Sequence, residues 1–161
     1  MEIRRAKAED LGTLLALYEG ARAFMAQNGN PDQWGDSYPP RELVEADIAS
    51  GHSYLCVEGE RVLGGFYFAV EEEANYRRLD GGRWLNDRPY GVVHRVASSK
   101  GARGVAAFCL DWCLAQCGNV RIDTHRQNLP MQRTLRRCGF SPCGTVYMDD
   151  GSERIAFQRA L

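Results

Sequence analysis

Apolar positions along the chain recur with two different periods, and each change of period marks the boundary of an element. Spacings of three and four residues predict helices at 8–29, 41–51, from beyond residue 101 to about 116, and 129–139. Alternating or continuous apolar runs predict strands at 2–7, 53–58, 61–70, 90–97, 119–125, 140–148 and 153–161. Polar segments rich in proline and glycine separate these elements, and the longest are 30–40 and 74–89.

The predicted order is βααβββαβαββ, which indicates an α+β fold with helices layered on a mixed central sheet of about seven strands. A chain of 161 residues has the length of one domain, so we expect a single domain spanning 1–161. The strand–helix–strand segment at 90–125 predicts a parallel crossover within an otherwise antiparallel sheet. Where neighbouring parallel strands separate, a cleft opens at their C-terminal ends and ligands bind there. We therefore expect the functional site between the fourth and fifth strands.

Composition and charge exclude several classes of protein. The formal net charge of −1 argues against a nucleic-acid-binding protein, which needs a basic face. No apolar stretch approaches the length of roughly 18 residues that a membrane span requires, and the N-terminus lacks the apolar region of a signal peptide. We expect a cytoplasmic protein with no nucleic-acid or membrane partner. The six cysteines form no CxxC pair and no zinc-binding spacing, so we expect packing thiols and no metal site.

The segment SSKGARG at 98–104 leads from the fourth strand directly into a helix. Gly101 and Gly104 permit a tight turn, and the amides of 102–106 have no partner within the helix. The helix dipole, Lys100 and Arg103 add positive charge, which favours a phosphate or pyrophosphate ligand. Neither the Walker A string nor GxGxxG is present, and a glycine-containing turn without a ligand is the alternative.

The stretches HRVASSKGARGVA and NLPMQRTLRRCGF, taken together, resemble the coenzyme-binding core of the GNAT N-acyltransferases. Gly104-Val105-Ala106 matches the G-x-G/A part of that family's loop, and Asn128 stands at the expected distance before Gly139-Phe140. The order of elements also matches, as do Gln33-Trp34 and Tyr38-Pro39 before the second helix. Two positions depart from the family pattern: Gly101 occupies the Q/R position of the loop, and Leu135 occupies the position of the usual tyrosine acid.

The resemblance implies a co-substrate, a fold and a set of binding residues. Acetyl-CoA would lie with its pantetheine arm along the fourth strand, where one amide polarises the thioester carbonyl, and with its pyrophosphate on the glycine loop. Asn128 would hydrogen-bond the arm or a phosphate. The residues expected to bind the co-substrate are Val96, Ala97, Ser98, Gly101, Ala102, Arg103, Gly104, Val105, Ala106 and Asn128.

The activity implied is transfer of an acetyl group to a primary amine of a small molecule by direct attack on the thioester. The alternatives are a protein or peptide amine acetyltransferase, a catalytically weak acyl-CoA-binding sensor module, which the missing tyrosine keeps open, and an unrelated nucleotide-binding domain. A homodimer is one candidate oligomeric state.

Catalysis requires a base for the ammonium proton. The candidates near the expected cleft are His94 and His125, together with the acidic run at 71–73; we expect His94, which should share a strand face with Val92 and Val96, to be the base. Tyr147 is the candidate acid. Trp34, Tyr38 and Trp84 lie in loops that should border the acceptor. Each of these side chains has an alternative structural role, as a hydrogen-bonded histidine, a packing aromatic or a loop anchor.

Overall fold

The computed structural model describes residues 1–161 and contains seven strands and four α-helices. The strands are β1 Glu2–Arg5, β2 Ser53–Glu58, β3 Arg61–Val70, β4 Gly91–Ser98, β5 Asn119–Thr124, β6 Ser141–Tyr147 and β7 Glu153–Ala160. The helices are α1 Leu11–Gln27, α2 Arg41–Ala49, α3 Val105–Cys117 and α4 Leu129–Arg137, and short 3-10 turns cover Ala8–Asp10 and Ala74–Tyr76. The predicted fold class is confirmed, with each element shifted by only a few residues at its ends.

All seven strands form one sheet in the order β1-β2-β3-β4-β5-β7-β6. Every neighbouring pair is antiparallel except β4 and β5, which are parallel and joined through α3. The parallel pair is the expected crossover. No helix of the protein is long and apolar enough to cross a membrane.

Two layers of helices cover the sheet. The larger cluster packs α3 and α4 against one face, with Leu110 and Leu135 fully buried. A second cluster packs α1 and α2 against the other face through Leu14, Tyr18 and Val44. Burial of these apolar side chains is the main source of stability, at about 25 cal/mol per Å² of apolar surface removed from water.

The cysteines belong to this packing. All six thiols are free, and Cys109 and Cys113 are fully buried on the face of α3 that meets the sheet. Burial raises the pKa of both thiols above the ordinary value, which keeps them protonated and unreactive.

A bulge interrupts β4. The side chains after the bulge lie on the face of the sheet opposite to the one that regular alternation would give them. Val93 packs with the α3 cluster, whereas Ala97, four residues later, packs with the α1 and α2 cluster. An uninterrupted strand would place both on one face, because successive side chains alternate. The register shifts where β3 reaches the segment between His94 and Ala97, so an extra residue accounts for the reversal.

Candidate active site

The parallel strands separate almost as soon as they pair. β4 and β5 are in register only at Gly91 with Val120 and at Val92 with Arg121. Beyond these positions the strands splay, and two clefts open on either side of the gap. The clefts share the lining residues Met25, Val96, Asn128 and Met131, so they meet at the splay.

The first cleft, here called the amide cleft, has a volume of about 1090 Å³. Its walls are α1, the end of β4, the segment 99–104, the first turn of α3, and α4 along its whole length. Lys100 and Arg137 are its only charged lining residues, and no carboxylate lines it. The cleft is therefore largely apolar, with a small excess of positive charge.

Five consecutive backbone amides at 103–107 have no acceptor within the protein. Gly104, the N-cap of α3, has φ of 70° and makes no side-chain cap bond, while Gly101 has φ of 81°. These left-handed conformations are the ones glycine adopts without a β-carbon clash. They turn the chain so that the helix begins with its N–H groups uncapped, which is the arrangement that binds a phosphate group.

The edge of β4 facing the splay also presents free backbone groups. Ser99 donates its N–H to Leu63 O at 2.8 Å, and Ser98 and Ala97 stand opposite Gly64 and Gly65 of β3. In an antiparallel ladder the bonded pairs alternate, so the N–H and C=O of Ser98 point away from β3 and toward the gap. An extended ligand lying in the gap could hydrogen-bond to these groups.

The second cleft, here called the acidic cleft, has a volume of about 890 Å³. Seven carboxylates line it, against two guanidinium groups, those of Arg95 and Arg154. The carboxylates come from three separate parts of the fold: the loop before α2 with α2 itself, the end of β3 with β5, and the turn between β6 and β7. They are Asp32, Asp47, Glu71, Glu73, Asp123, Asp149 and Asp150. The cleft thus carries a clear excess of negative charge.

His94 lies in the acidic cleft beside a carboxylate. Its Nε2 is 3.2 Å from Glu73 Oε2, and its ring packs against that of Tyr67 at 5.6 Å. The hydrogen bond with His94 lowers the pKa of the Glu73 carboxyl, which is therefore ionised at neutral pH. An ionised carboxylate only accepts hydrogen bonds, so neutral His94 carries its hydrogen on Nε2 and Nδ1 is left as the basic nitrogen.

Asp123 of β5 lines the same cleft. It accepts a hydrogen bond of 2.6 Å from the hydroxyl of the buried Tyr76. Burial raises the pKa of the Asp123 carboxyl, although the hydrogen bond and the nearby His94 act in the opposite direction. The carboxyls of Glu73 and Asp123 thus line one cleft and have pKa values displaced in opposite directions, as is common at functional sites.

Arg95 follows His94 and occupies the bulge of β4 with φ of 53°. Its guanidinium donates to Asp47 Oδ2 from Nε at 2.9 Å, and its Nη2 lies 2.8 Å from the same oxygen. Nη1 donates to the Tyr38 hydroxyl at 3.1 Å, and the group lies 4.8 Å from the centre of the Tyr67 ring. The ion pair is buried, because the side chains of Arg95 and Asp47 are 8% and 7% exposed.

Asn128 caps α4 and connects it to the loop before α2. Its Oδ1 accepts from Met131 N at 3.2 Å, and its Nδ2 donates to Gln33 Oε1 at 2.9 Å. The carbonyl oxygen of Gln33 accepts a further bond of 3.1 Å from Arg154. Gln33 therefore bridges the loop before α2 to both α4 and β7, across one side of the acidic cleft.

The structure brings together most of the residues singled out from the sequence. Nine line the amide cleft: Val96, Ala97, Ser98, Gly101, Ala102, Gly104, Val105, Ala106 and Asn128. His94, Trp34 and Tyr38 line the acidic cleft, as do Val96 and Asn128, which line both clefts. The prediction that Val96 shares a strand face with His94 is wrong. Val96 packs against the α3 side of the sheet, because the bulge lies between the two residues.

Four of the singled-out side chains line neither cleft. His125 Nδ1 accepts the Gln127 N–H, and the Arg103 side chain lies outside the amide cleft although its amide belongs to the uncapped series. The hydroxyl of Tyr147 donates to Asp80 at 2.8 Å. Trp84 donates to the Tyr76 carbonyl and packs under the Arg121 guanidinium, so it anchors the loop at 77–90.

Sequence reasoning missed Arg95 and Asp47. Nothing in the string HRVA distinguishes an arginine in left-handed conformation from one in a regular strand. Asp47 did leave a signal: it stands three residues after Val44, on the buried face of α2, and a carboxylate there requires a partner.

No protein-family model and no curated protein matches the chain. Solved structures do. The chain is 30% identical to a GNAT-family acetyltransferase of Streptococcus agalactiae, with a TM-score of 0.90 over 99% of this chain and 95% of that chain.

Two more distant structures share the fold. Ribosomal-protein-alanine N-acetyltransferase of Brucella melitensis is 18% identical with a TM-score of 0.66, and the alignment covers 100% of both chains. A Salmonella typhimurium protein whose structure contains its cofactor acetyl-CoA is 16% identical with a TM-score of 0.64, over 99% of this chain and 93% of that chain.

Proposed function

The chain belongs to the GNAT family of acetyltransferases, and we propose that it transfers the acetyl group of acetyl-CoA to a primary amine of a small, positively charged molecule. One observation carries this proposal: two clefts whose lining residues carry net charges of opposite sign meet where β4 and β5 splay apart. One presents free amides and cations, and the other presents an excess of carboxylates.

The amide cleft fits acetyl-CoA. The uncapped amides at 103–107 and Lys100 supply the donors and the charge that a pyrophosphate needs. The free edge of β4 at Ser98 fits the amide groups of a pantetheine arm, and the apolar wall of α1 fits its methylene and methyl groups. Acetyl-CoA supplies an acetyl group activated as a thioester; no metal is needed for that chemistry.

The acidic cleft fits a cationic acceptor. An amine with a pKa above neutrality enters as an ammonium ion, and a cleft lined with carboxylates raises its local concentration. Trp34 and Tyr38, which line the same cleft, offer aromatic faces to a cation. The bridge that Gln33 makes to α4 and β7 closes one side of the cleft, which favours a small acceptor over an extended peptide.

His94 is the proposed base. Its Nδ1 accepts a proton from the ammonium, and the Glu73 carboxylate holds the ring through Nε2 and stabilises the imidazolium that forms. The amine nitrogen then forms a bond to the thioester carbon, and the bond from that carbon to sulfur breaks. The bonded nitrogen gives up its second proton through water to the departing thiolate, so the products are an N-acetyl amide and free coenzyme A. The His94 imidazolium then returns the first proton to solvent. Leu135 stands in place of the family tyrosine and is fully buried, so it supplies no acid; a thiol of pKa about 8.5 leaves without one.

The test is a thiol-release assay with a panel of amines and a binding titration with acetyl-CoA and ATP. We expect tighter binding of acetyl-CoA than of ATP, and faster thiol release with a diamine than with an amino acid, whose carboxylate the acidic cleft repels. Release with peptides alone would favour the protein-acceptor alternative. Binding of acetyl-CoA with no release across the panel would indicate a sensor module.

A further inference from the structure

Arg95 is the only residue other than glycine with a positive φ in the whole chain. That conformation brings the β-carbon close to the following carbonyl, and glycine adopts it far more readily than arginine does. The backbone at this position therefore costs free energy that the contacts of the side chain must offset.

The side chain makes a complete set of contacts on the α2 side of the sheet. Its guanidinium is paired with Asp47 of α2, bonded to the Tyr38 hydroxyl in the loop before α2, and stacked over Tyr67 of β3. These partners come from three separate elements. The position of Arg95 is thus determined by groups distant in sequence.

The neighbours of Arg95 face the two clefts. His94 precedes it and lines the acidic cleft, while Val96 follows it and lines both clefts. Because the bulge reverses the facing of β4 between these residues, the conformation of Arg95 sets the direction of the His94 ring and of the strand edge at Val96 together.

Building on the proposed function, we propose that Arg95 is a positioning residue. Its ion pair with Asp47 and its hydrogen bond to Tyr38 hold the β4 bulge, so that the base and the edge that receives the thioester keep one relative geometry. Tyr38 also lines the acidic cleft. The contacts that hold the bulge therefore include a residue in the wall of the proposed acceptor site.

A purely structural ion pair is the alternative, and α2 offers a matched control. Arg41 and Glu45 form an ion pair of 2.7 Å on the same helix, but both side chains are exposed and line neither cleft. The substitution Glu45→Gln therefore removes one carboxylate charge from α2 without affecting β4.

The decisive variants are Arg95→Gly and Asp47→Asn, measured by steady-state kinetics and thermal unfolding beside Glu45→Gln. Glycine adopts a positive φ without the free-energy cost that arginine has there. The substitution therefore tests only the loss of the side-chain contacts. We expect kcat to fall about 100-fold in Arg95→Gly, the loss that a displacement of roughly 1 Å at a reacting centre produces. KM for acetyl-CoA should change far less than kcat, because neither Arg95 nor Asp47 lines the amide cleft and Arg95 reaches it only through its neighbour Val96.

Wild-type kcat in a folded Arg95→Gly variant would overturn the inference, as would equal effects of Asp47→Asn and Glu45→Gln. If Arg95→Gly does not fold, Asp47→Asn decides by the same criteria, since it keeps the size of the side chain. A wild-type protein that releases no thiol would instead contradict the proposed function itself.

Discussion

The two clefts present different kinds of groups to a ligand. The amide cleft presents backbone groups: the five free amides at 103–107 and the edge of β4. The acidic cleft presents side chains, among them seven carboxylates and His94. Backbone recognition requires a conformation, which several sequences can provide, whereas side-chain recognition requires particular residues. This difference explains why the class of the donor is easier to infer than the acceptor.

The largest effect should follow from removing the proposed base in the acidic cleft. We expect His94→Ala to lower kcat by about 10²- to 10⁴-fold, the usual contribution of a general base. Binding of acetyl-CoA, measured by titration, should be unchanged, because His94 does not line the amide cleft.

The control for this substitution is His125→Ala. His125 lines neither cleft, so its loss should leave turnover near the wild-type value. Near-normal turnover of His94→Ala between about pH 6 and pH 9, a range that spans the ordinary histidine pKa, would show that another group takes the proton.

A charge placed on the amide cleft should produce the next largest effect. Gly104→Asp puts a carboxylate beside the uncapped amides, where it would compete with and repel a pyrophosphate. Placing like charges together costs several kcal/mol, so we expect the Kd for acetyl-CoA to rise roughly 100-fold, or about 3 kcal/mol.

The same helix supplies the matched control for backbone strain. Gly118 ends α3 with φ of 71°, close to the 70° of Gly104, and it lines neither cleft. Gly118→Asp therefore carries a similar conformational cost without touching the amides. Equal affinity losses in the two variants would mean that strain alone, and not an anion site, explains the result.

The fold was predictable because its signals are local. Apolar periodicity located all seven strands and four helices, and the glycines at 101 and 104 marked the start of α3. The parallel crossover followed from the order of elements. None of these signals depends on a contact between distant residues.

The acidic cleft was harder to predict because it is assembled from distant residues. Asp47 and Arg95 meet only after α2 packs on the sheet, and the bulge that brings Arg95 there has no local signature. The two loop tryptophans illustrate the same limit. Trp34 lines the cleft and Trp84 anchors a loop, yet both occupy polar, irregular segments of similar composition.

The smallest effect should come from the rim of the acidic cleft. Asp32 and Asp149 line it and make no side-chain hydrogen bond or ion pair within the protein, so they are free to attract a cation. Exposed ion pairs contribute about 0.2–1 kcal/mol each. We therefore expect the double variant Asp32→Asn, Asp149→Asn to raise KM for a diamine about two- to fivefold with little change in kcat. The difference should fade at high salt, since the screening length falls to about 3 Å at 1 M.

The control is Asp87→Asn, because Asp87 is exposed and lies outside both clefts. An equal rise in KM in this variant would mean that the net charge of the protein, not this cleft, attracts the acceptor.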